Sequence, residues 1–260
     1  MTDSTRIAVL SDIHGNLPAL EAVLADVEET GVDLVVLNGD LADGPFPVET
    51  LELLAGLGER ARWVRGNGDR WVVEAYDGVF ERTGSPTDAL TEWTASLLSA
   101  EHRNLLSAAT LTESLELPGI GAIGFCHATA RDDNEMVLVD SPIEHFQQAF
   151  ADLDQPTVVV GHCHMPFDRL FDRRRIVNSG AVGMPYGHTG ASWALIGSDV
   201  TLRRTNYDTT EARRRLASST MPDLQEFIDE NVCSAPSDAE ALEVFSKIRD
   251  EQFSRRQRSG

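Results

Sequence analysis

The sequence predicts a mixed α/β fold (α+β) in which short buried strands alternate with helices. Apolar or β-branched runs of four residues recur at 7–10, 34–37 and 157–160, the length and composition expected of buried strands. A segment with helical periodicity follows the first run. Polar residues stand directly after successive strands at Asp12, Asp40 and Asn67, with gaps of 28 and 27 residues, which is about one strand–helix–strand step.

The first part of the chain is interpreted as two strand–helix units and a third strand. After the first strand, Asn16 can cap a helix whose leucines recur at helical spacing and which Gly31 can end. The second strand leads through a Gly- and Pro-containing loop to a helix over about 48–57, and a third strand lies near 63–64. This alternation implies parallel strands with right-handed crossovers, whose carboxyl ends lie side by side where ligands bind.

The segment from Trp71 to about Ala109 has a helical pattern. One apolar stripe is formed by Leu90, Trp93, Leu97 and Leu98. We interpret residues 71–109 as a helical, cap-like insertion over one rim of the strand ends. Extra core packing explains Trp93 and Leu97 equally well.

Strands return in the second part of the chain. The pattern predicts strands at 111–117, 121–126, 157–160, 175–178, 192–196 and 200–205, and a helix at 143–150. Alternation in the last strands predicts a second, more antiparallel sheet. A tail from about Thr209 holds three short helices, one opened by Pro222 and the last by a capping box of Ser237 and Glu240. The simplest division is one domain over 1–206 and a helical extension over 207–260 that packs on it.

The composition limits the function classes. The net charge is −20 and Lys247 is the single lysine; such a field repels nucleic-acid polymers and acidic membranes. No stretch reaches the roughly 18 apolar residues that span a bilayer, no signal-peptide pattern is visible, and three scattered cysteines form no disulfide framework. We therefore expect a cytoplasmic protein without a membrane partner, and homo-oligomerisation stays open.

The acidity also suggests a halophile, because a salt-rich cytosol screens the self-repulsion of an acidic surface. A genome that favours arginine codons would explain the scarcity of lysine, though not the acidity. Full stability in low-salt buffer would contradict the halophile hypothesis.

Seven polar residues follow predicted strands and form the candidate site. They are Asp12, His14, Asp40, Asn67, His127, His162 and His164. Seven oxygen and nitrogen ligands are too many for one tetrahedral ion and suit two ions that share a carboxylate. Two ions about 3.5–4 Å apart can hold the attacking and leaving oxygens of a phosphoryl transfer. Mixed imidazole and carboxylate ligands favour Mn, Fe, Co, Ni or Zn over Ca or Mg.

Each of these residues has a structural explanation when taken alone. Asp12 and Asp40 would be helix caps or turn residues, Asn67 between two glycines a turn, and His127 a hydrogen-bonded residue near the core. Those explanations do not account for seven such residues at strand ends. Two other histidines, His102 and His145, are interpreted as solvated helix residues.

Together the motifs resemble those of the calcineurin-like metallophosphoesterase superfamily, in its small bacterial and archaeal phosphodiesterase-like branch. The resemblance rests on Asp-x-His at 12–14, Gly39-Asp40, Gly66-Asn67, the lone His127 and Gly161-His162-x-His164, and it extends from residue 7 to about 183. It implies a four-layer αββα sandwich, in which two mixed β-sheets lie face to face with helices outside.

The resemblance also implies how the ligands divide between two divalent transition-metal ions. One ion would take Asp12, His14, Asp40 and His164; the other would take Asp40, Asn67, His127 and His162, with Asp40 bridging. Manganese is the first expectation, with iron, nickel, cobalt or zinc as alternatives. The implied reaction is in-line attack on phosphorus by a hydroxide that bridges the ions.

One departure from the family pattern bears on the reaction. Many members carry a histidine directly after the motif Asn, where it steadies the transition state or protonates the leaving oxygen, and this chain has Gly68 there. Arg131 and Asp69 are candidates for that role, and Arg131 could clamp a phosphate oxygen; a surface arginine and a turn aspartate are equally good explanations. Cys163, between two ligands, is interpreted as a bystander.

The leading hypothesis is a phosphodiesterase that acts on a small soluble phosphate ester. The alternative is a phosphomonoesterase or a nucleotide or dinucleoside polyphosphate hydrolase. A non-catalytic binding scaffold with the same fold is a further alternative, which the complete ligand set disfavours.

Overall fold

The computed structural model describes residues 5–259 and contains two five-stranded mixed sheets. The strands are β1 (Ile7–Leu10), β2 (Leu34–Asn38), β3 (Ala61–Val64), β4 (Thr112–Leu117), β5 (Gly121–Cys126), β6 (Thr157–Val160), β7 (Phe167–Phe171), β8 (Arg174–Asn178), β9 (Ala191–Ile196) and β10 (Val200–Thr205). The helices are α1 (Leu17–Thr30), α2 (Pro47–Ala55), α3 (Asn67–Tyr76), α4 (Thr87–Leu97), α5 (Ala100–Ser107), α6 (Ile143–Ala149), α7 (Thr209–Leu216), α8 (Leu224–Ile228) and α9 (Asp238–Ser259). Within the described range, no helix combines the length and the apolar character needed to cross a bilayer.

The first sheet has the order β10-β9-β1-β2-β3. Strands β1, β2 and β3 are parallel, as predicted, with Ile7 opposite Leu34 and Val35 opposite Ala61. Strand β9 adds antiparallel to β1, and β10 adds antiparallel to β9. The prediction that the last strands build the second sheet is therefore wrong: their antiparallel character was read correctly, but they extend the first sheet.

The second sheet has the order β4-β5-β6-β8-β7. Its centre is parallel, with β6 between β5 and β8, while β4 and β7 are antiparallel edges. Strand β7 was not predicted, because its sequence Phe-Asp-Arg-Leu-Phe is not a continuous apolar run. Only its two phenylalanines are buried. In this sheet too, β5 and β6 end on the same edge.

A shared apolar core joins the two sheets. Ile7, Val9 and Val36 from the first sheet pack with Phe125 and Val159 from the second, all of them fully buried. Helices α1 and α2 cover the outer face of the first sheet, and α6 and α9 cover the outer face of the second. The expected four-layer αββα arrangement is confirmed.

Helices α4 and α5 lie in the segment predicted as an insertion, and α3 begins before it, at Asn67. The buried residues of α4 are Asp88, Thr91, Thr94 and Ala95, followed by Leu98. Leu90 and Trp93 are partly buried against the C-terminal helices, but Leu97 is 44% exposed. The predicted apolar stripe is therefore confirmed except at Leu97. Helix α4 packs both on the core and on the C-terminal helices, and Leu97 faces neither.

Helix α9 is longer than the short helices predicted for the tail, and it holds the loop that follows β5. The predicted capping box is present, with the hydroxyl of Ser237 donating to Glu240 and accepting from its amide. Further along, the Gln252 side chain accepts from the amide of Met136 and donates to the carbonyl of Asn134. The 129–141 loop is therefore fixed from the outside by α9.

His145 is buried, so its interpretation as a solvated residue is wrong. Its Nε2 lies 3.0 Å from Oε1 of Glu135, and its ring packs 4.6 Å, centroid to centroid, from Phe253 of α9. The fully buried carboxylate of Glu135 also accepts two hydrogen bonds from Arg131. Burial raises the pKa of Glu135, but the hydrogen bonds from Arg131 and His145 prevail and lower it to about 2.

We expect Glu135→Gln to lower the free energy of unfolding by about 3 kcal/mol, because it replaces the fully buried carboxylate that accepts both hydrogen bonds of the partly buried Arg131 guanidinium. The depressed pKa means that this stabilisation is complete above the usual glutamate pKa near 4.5 and is lost as pH falls towards 2. Urea unfolding at pH 6 and pH 3 should show a difference between the two proteins that shrinks in acid. The control is Glu144→Gln, which changes an exposed residue of α6. An equal loss of stability in both variants would contradict the prediction.

Candidate metal centre

The seven predicted site residues converge at the ends of parallel strands from both sheets. Asp12, Asp40 and Asn67 follow β1, β2 and β3, while His127 follows β5 and the pair His162 and His164 follows β6. The loops also hold each other: the amides of Asp12 and His14 donate to the carbonyls of Gly39 and Asp40, and the amide of His162 donates to Oδ2 of Asp12 at 3.0 Å. A single buried crevice results.

The backbone at five of these residues is in the left-handed region. Asp12 (φ 54°), His14 (46°), Asp40 (54°), His162 (65°) and His164 (59°) all have positive φ. Such conformations cost a non-glycine residue of order 1–3 kcal/mol each and cluster at functional sites. The loops are therefore shaped to aim these side chains at the crevice at the expense of local stability.

One group of candidate ligands consists of Asp12, His14 and His164. Nε2 of His14 lies 3.2 Å from Nε2 of His164, and Nε2 of His164 lies 3.3 Å from Oδ1 of Asp12. Ligand atoms of all three residues lie within 4.8 Å of one another, and all three residues are buried. Two ring nitrogens and a carboxylate oxygen facing each other form a ready cation site.

A second group consists of Asp40, His127 and His162. Nε2 of His127 lies 3.2 Å from Oδ2 of Asp40. That same oxygen is 3.9 Å from Nε2 of His14 in the first group, and His127 Nε2 is 3.8 Å from Oδ1 of Asp12. Asp40 thus lies between the two groups, where a shared carboxylate has to be.

The amide of Asn67 completes the second group. One of the two polar atoms of this side-chain amide lies 3.0 Å from Nδ1 of His162 and 3.0 Å from the carbonyl oxygen of Asp133. With its nitrogen turned towards them, the amide donates to both. A bound cation would select the opposite orientation, since only the amide oxygen is a metal ligand.

Three of the imidazoles have an acceptor oxygen at Nδ1 that sets their orientation, through a hydrogen bond in two of them and an ion-pair contact in the third. His127 Nδ1 bonds to the carbonyl of Asn38 at 2.8 Å, and His164 Nδ1 bonds to the carbonyl of Met184 at 2.9 Å. His14 Nδ1 lies 3.0 Å from Oδ1 of Asp43. Each partner is an acceptor, so Nδ1 carries a proton and Nε2 faces the crevice, where it would offer its lone pair to a bound cation.

Asp43 was missed by the sequence interpretation. It lies in the loop after Asp40, among glycines and prolines, and it resembles an ordinary turn residue. In the structure it belongs to a third group of potential ligands with His14 and Asp40. Its contact with Nδ1 of His14 makes it the residue that orients that imidazole.

The buried carboxylates of the crevice favour the binding of positive charge. Burial opposes ionisation of Asp12 and Asp40, yet the adjoining imidazoles prevail and lower the pKa of both carboxyls. Burial likewise lowers the pKa of His14 and His127, but the carboxylates raise it to about 10 in each. Without a metal, protons on these imidazoles balance the buried carboxylates.

Three buried atoms around the crevice have no hydrogen-bond partner. They are Oδ1 of Asp12, which lies near His164 without a well-directed bond, Oδ1 of Asp43 and Nε2 of His162. Burial and the neighbouring His127 lower the pKa of His162 to about 4, so its ring is neutral. An unsatisfied buried carboxylate oxygen is costly, and the donor set fits divalent transition-metal ions that would satisfy it.

Glycines allow the loops to approach this closely. A Cβ on Gly39 (φ 90°) would lie 2.5 Å from Nδ1 of His127, and one on Gly66 would collide with the Asp40 carboxylate. A Cβ on Gly68 would lie 2.5 Å from Oδ2 of Asp43 and 3.0 Å from Oδ1 of Asp40. The space that a side chain at position 68 would need is therefore filled by Asp43.

Neither candidate for the role of the missing histidine is free in this structure. The carboxylate of Asp69 accepts from the amides of Asp40, Leu41 and Gly66, and burial together with the Asp40 charge raises its pKa to about 7. The guanidinium of Arg131 is held by both oxygens of Glu135. Asp69 thus shapes the loops, and a catalytic role of Arg131 stays a prediction.

Asp133, which sequence reasoning also missed, braces the segment around Asn67. Its buried carboxylate pairs with Arg65 and Arg70, on either side of Asn67, at 3.0 and 2.9 Å. Cys163 is buried, and its sulfur accepts from the side chain of Asn178 at 3.2 Å. Burial raises the pKa of this thiol to about 12, which agrees with its interpretation as a bystander.

Comparisons with known proteins point to one family. Residues 5–199 match the model of the calcineurin-like phosphoesterase superfamily domain. An uncharacterised protein of Methanocaldococcus jannaschii is 28% identical over 241 residues, which cover 84% of this chain and 94% of that protein. A symmetrical bis(5'-nucleosyl)-tetraphosphatase of Cronobacter sakazakii is 36% identical over 85 residues, only 32% of this chain and 29% of that enzyme.

Solved structures give the same result. A metallophosphoesterase from Sphaerobacter thermophilus superposes with a TM-score of 0.65 at 26% identity and covers 86% of this chain and 97% of its own. A hypothetical protein from Pyrococcus horikoshii OT3 has a TM-score of 0.72 at 21% identity, with coverage of 86% and 96%. The second likeness concerns the fold alone.

Proposed function

This chain belongs to the calcineurin-like phosphoesterase superfamily and is a phosphoesterase, and on that premise we propose that it is a phosphodiesterase that uses two divalent metal ions on a small soluble ester. The observation that carries the proposal is the position of Asp40 between two groups of ligand atoms. Oδ2 of Asp40 lies 3.2 Å from Nε2 of His127 and 3.9 Å from Nε2 of His14. A carboxylate so placed suits a pair of ions better than a single one.

The residues divide the work of holding the ions. Asp12, His14 and His164 would hold one, His127, His162 and Asn67 the other, and Asp40 both. When bound, the ions would supply Lewis acidity at the phosphate and an activated water as nucleophile. Asn67 would contribute an oxygen without charge, so the loaded site would keep net positive charge for an anionic ester. The Nδ1 contacts to Asn38, Asp43 and Met184 keep three imidazoles aimed at the site.

Departure of the leaving group decides which esters suit this site. Gly68 offers no proton donor, Asp69 is engaged by three amides, and Arg131 is paired with Glu135. A leaving oxygen that needs no protonation should therefore leave most easily. A diester also brings a single negative charge to a chain of net charge −20, whereas a monoester brings up to two.

We expect bis-p-nitrophenyl phosphate to be hydrolysed faster than p-nitrophenyl phosphate when manganese is present. The measurement is kcat/KM for both esters with Mn, Fe, Ni, Co or Zn added to metal-depleted protein, which also tests manganese as the preferred ion. Faster turnover of the monoester would overturn the diesterase assignment and leave a phosphomonoesterase.

The second candidate function is hydrolysis of nucleotides or dinucleoside polyphosphates. It is favoured by the 36% identity to a symmetrical bis(5'-nucleosyl)-tetraphosphatase, but that likeness extends over 85 residues only. Adding diadenosine tetraphosphate to the same substrate screen distinguishes the two, since a tetraphosphatase would prefer it to both nitrophenyl esters.

A further inference from the structure

A cleft of about 200 Å³ lies between the insertion and the C-terminal helices. Leu90 of α4 forms one wall, and Met221 and Phe227, which precede and lie in α8, form the other. Met184 also lines it. An apolar cavity of about 150 Å³ is enough to take benzene, so this cleft is large enough for one ring-sized organic group.

The cleft is joined to the candidate metal centre through Met184. The carbonyl of Met184 accepts the hydrogen bond from Nδ1 of His164 at 2.9 Å, so one residue contacts both a metal-ligand candidate and the cleft. Two residues further on, the ring of Tyr186 stacks on that of His164 with centroids 5.6 Å apart and planes 25° apart. Met184 therefore connects the wall of the cleft with a candidate metal ligand.

The chemistry of the lining selects the group. The interior is apolar and adaptable, with two methionines, a leucine and a phenylalanine. The rim carries three exposed acids, Asp223, Glu226 and Glu230, and no basic residue is among the described residues that line the cleft. Such a rim repels a second phosphate or a carboxylate.

The local backbone also sets this region apart. Glu230 and Asn231 of the lining lie in a π-helical turn, Asp229–Cys233, which continues α8. Such turns are rare and occur frequently at functional sites. The buried side chain of Asn231 donates to the carbonyl of Phe227 at 2.9 Å, which fixes the cleft wall.

We propose that this cleft is a specificity site that binds a compact apolar organic group of the phosphodiester and excludes groups with further negative charge. The inference rests on the proposed phosphodiesterase function and names its substrate class: a diester with one ring-sized, uncharged or cationic group. It also disfavours dinucleoside polyphosphates. In the reaction, water adds to phosphorus, one P–O ester bond breaks, and the alcohol and a phosphate monoester leave.

The test uses three esters with the same leaving group: methyl, phenyl and 4-carboxyphenyl p-nitrophenyl phosphate. Release of p-nitrophenolate by the manganese-loaded protein gives kcat/KM for each. We expect Leu90→Trp and Met221→Trp, which fill the cleft from opposite walls, to lower the phenyl-to-methyl ratio at least about tenfold, chiefly through KM. Leu97→Trp, on the same helix but exposed and outside the cleft, should leave the ratio unchanged.

The rim is tested with the carboxylated ester. Neutralising it with Asp223→Asn and Glu226→Gln should raise kcat/KM for the 4-carboxyphenyl ester several-fold relative to the phenyl ester, and added salt should reduce the difference. If both filling variants keep the wild-type phenyl-to-methyl ratio, the cleft does not bind the organic group and the inference is overturned. If wild-type protein hydrolyses none of the three esters, the phosphodiesterase function itself fails, which is a separate outcome.

Discussion

Asp40→Asn is expected to lower kcat/KM for bis-p-nitrophenyl phosphate by at least about 100-fold, because Oδ2 of Asp40 faces both groups of ligand atoms, 3.2 Å from Nε2 of His127 and 3.9 Å from Nε2 of His14. Changes in the residues around metal ligands already cost 10–100-fold, and a shared ligand should cost more. An amide keeps the acceptor for the amide of Gly68, which lies 2.7 Å from Oδ1 of Asp40, but removes the charge that balances His14 and His127. Metal analysis should show two ions per chain in the wild type and one or none in the variant.

Asp88→Asn is the matched control for this experiment. Asp88 is also a buried aspartate, but it lies outside the metal centre, where its carboxylate accepts a hydrogen bond from the amide of Gly84 at 2.8 Å. We expect this variant to keep two ions and an activity within about twofold of wild type. If Asp40→Asn also kept two ions and near wild-type activity, Asp40 would not be a shared ligand and the two-metal assignment would be overturned. Wild-type protein that holds no transition metal and hydrolyses no ester would instead indicate a binding scaffold with the family fold.

The parts of the fold that local sequence patterns determine were predictable. Short apolar runs in the sequence indicate the buried strands. Asn16 and Gly31 mark the ends of α1, and the side chain of Asn16 accepts a hydrogen bond from the amide of Ala19. Because parallel strands present their carboxyl ends on one edge, the convergence of Asp12, Asp40 and Asn67 could also be inferred.

The errors lie where distant segments decide the outcome. Strands β9 and β10 could have joined either sheet, and the antiparallel pairing of β1 with β9, from Ile7–Ile196 to Val9–Ala194, places them in the first. His145 looks like a surface residue of a short helix until α9 packs Phe253 against it. Neither contact leaves a local signal in the sequence.

Asp43 illustrates why the surroundings of the metal centre are harder to predict than the ligands. Ligands stand at strand ends, which are visible in the pattern, whereas the residues that orient them come from loops and are recognised only by contact. The glycine at position 68 is read from the sequence as the loss of a catalytic histidine. In the structure it is also the position that leaves room for the carboxylate of Asp43.

Asp43→Ala is expected to weaken metal binding and kcat/KM by about 10–100-fold, the usual effect of removing the residue that orients a metal-binding imidazole. Oδ1 of Asp43 lies 3.0 Å from Nδ1 of His14, so its removal frees that ring to turn or to change tautomer. Isothermal titration of metal-depleted protein with manganese, together with kcat/KM for the diester, measures both effects. An unchanged affinity would mean that the loop backbone alone orients His14.

Gly68→Ala should reproduce the Asp43→Ala phenotype, because its Cβ would lie 2.5 Å from Oδ2 of Asp43 and drive that carboxylate away from His14. If both changes act through the same contact, the double variant should be no worse than the stronger single one, whereas independent effects would add. Gly197→Ala, where a Cβ meets no atom within 4 Å, controls for the loss of a glycine. Additive losses in the double variant would show that Gly68 affects the site by another route, such as its amide bond to Asp40, and not by making room for Asp43.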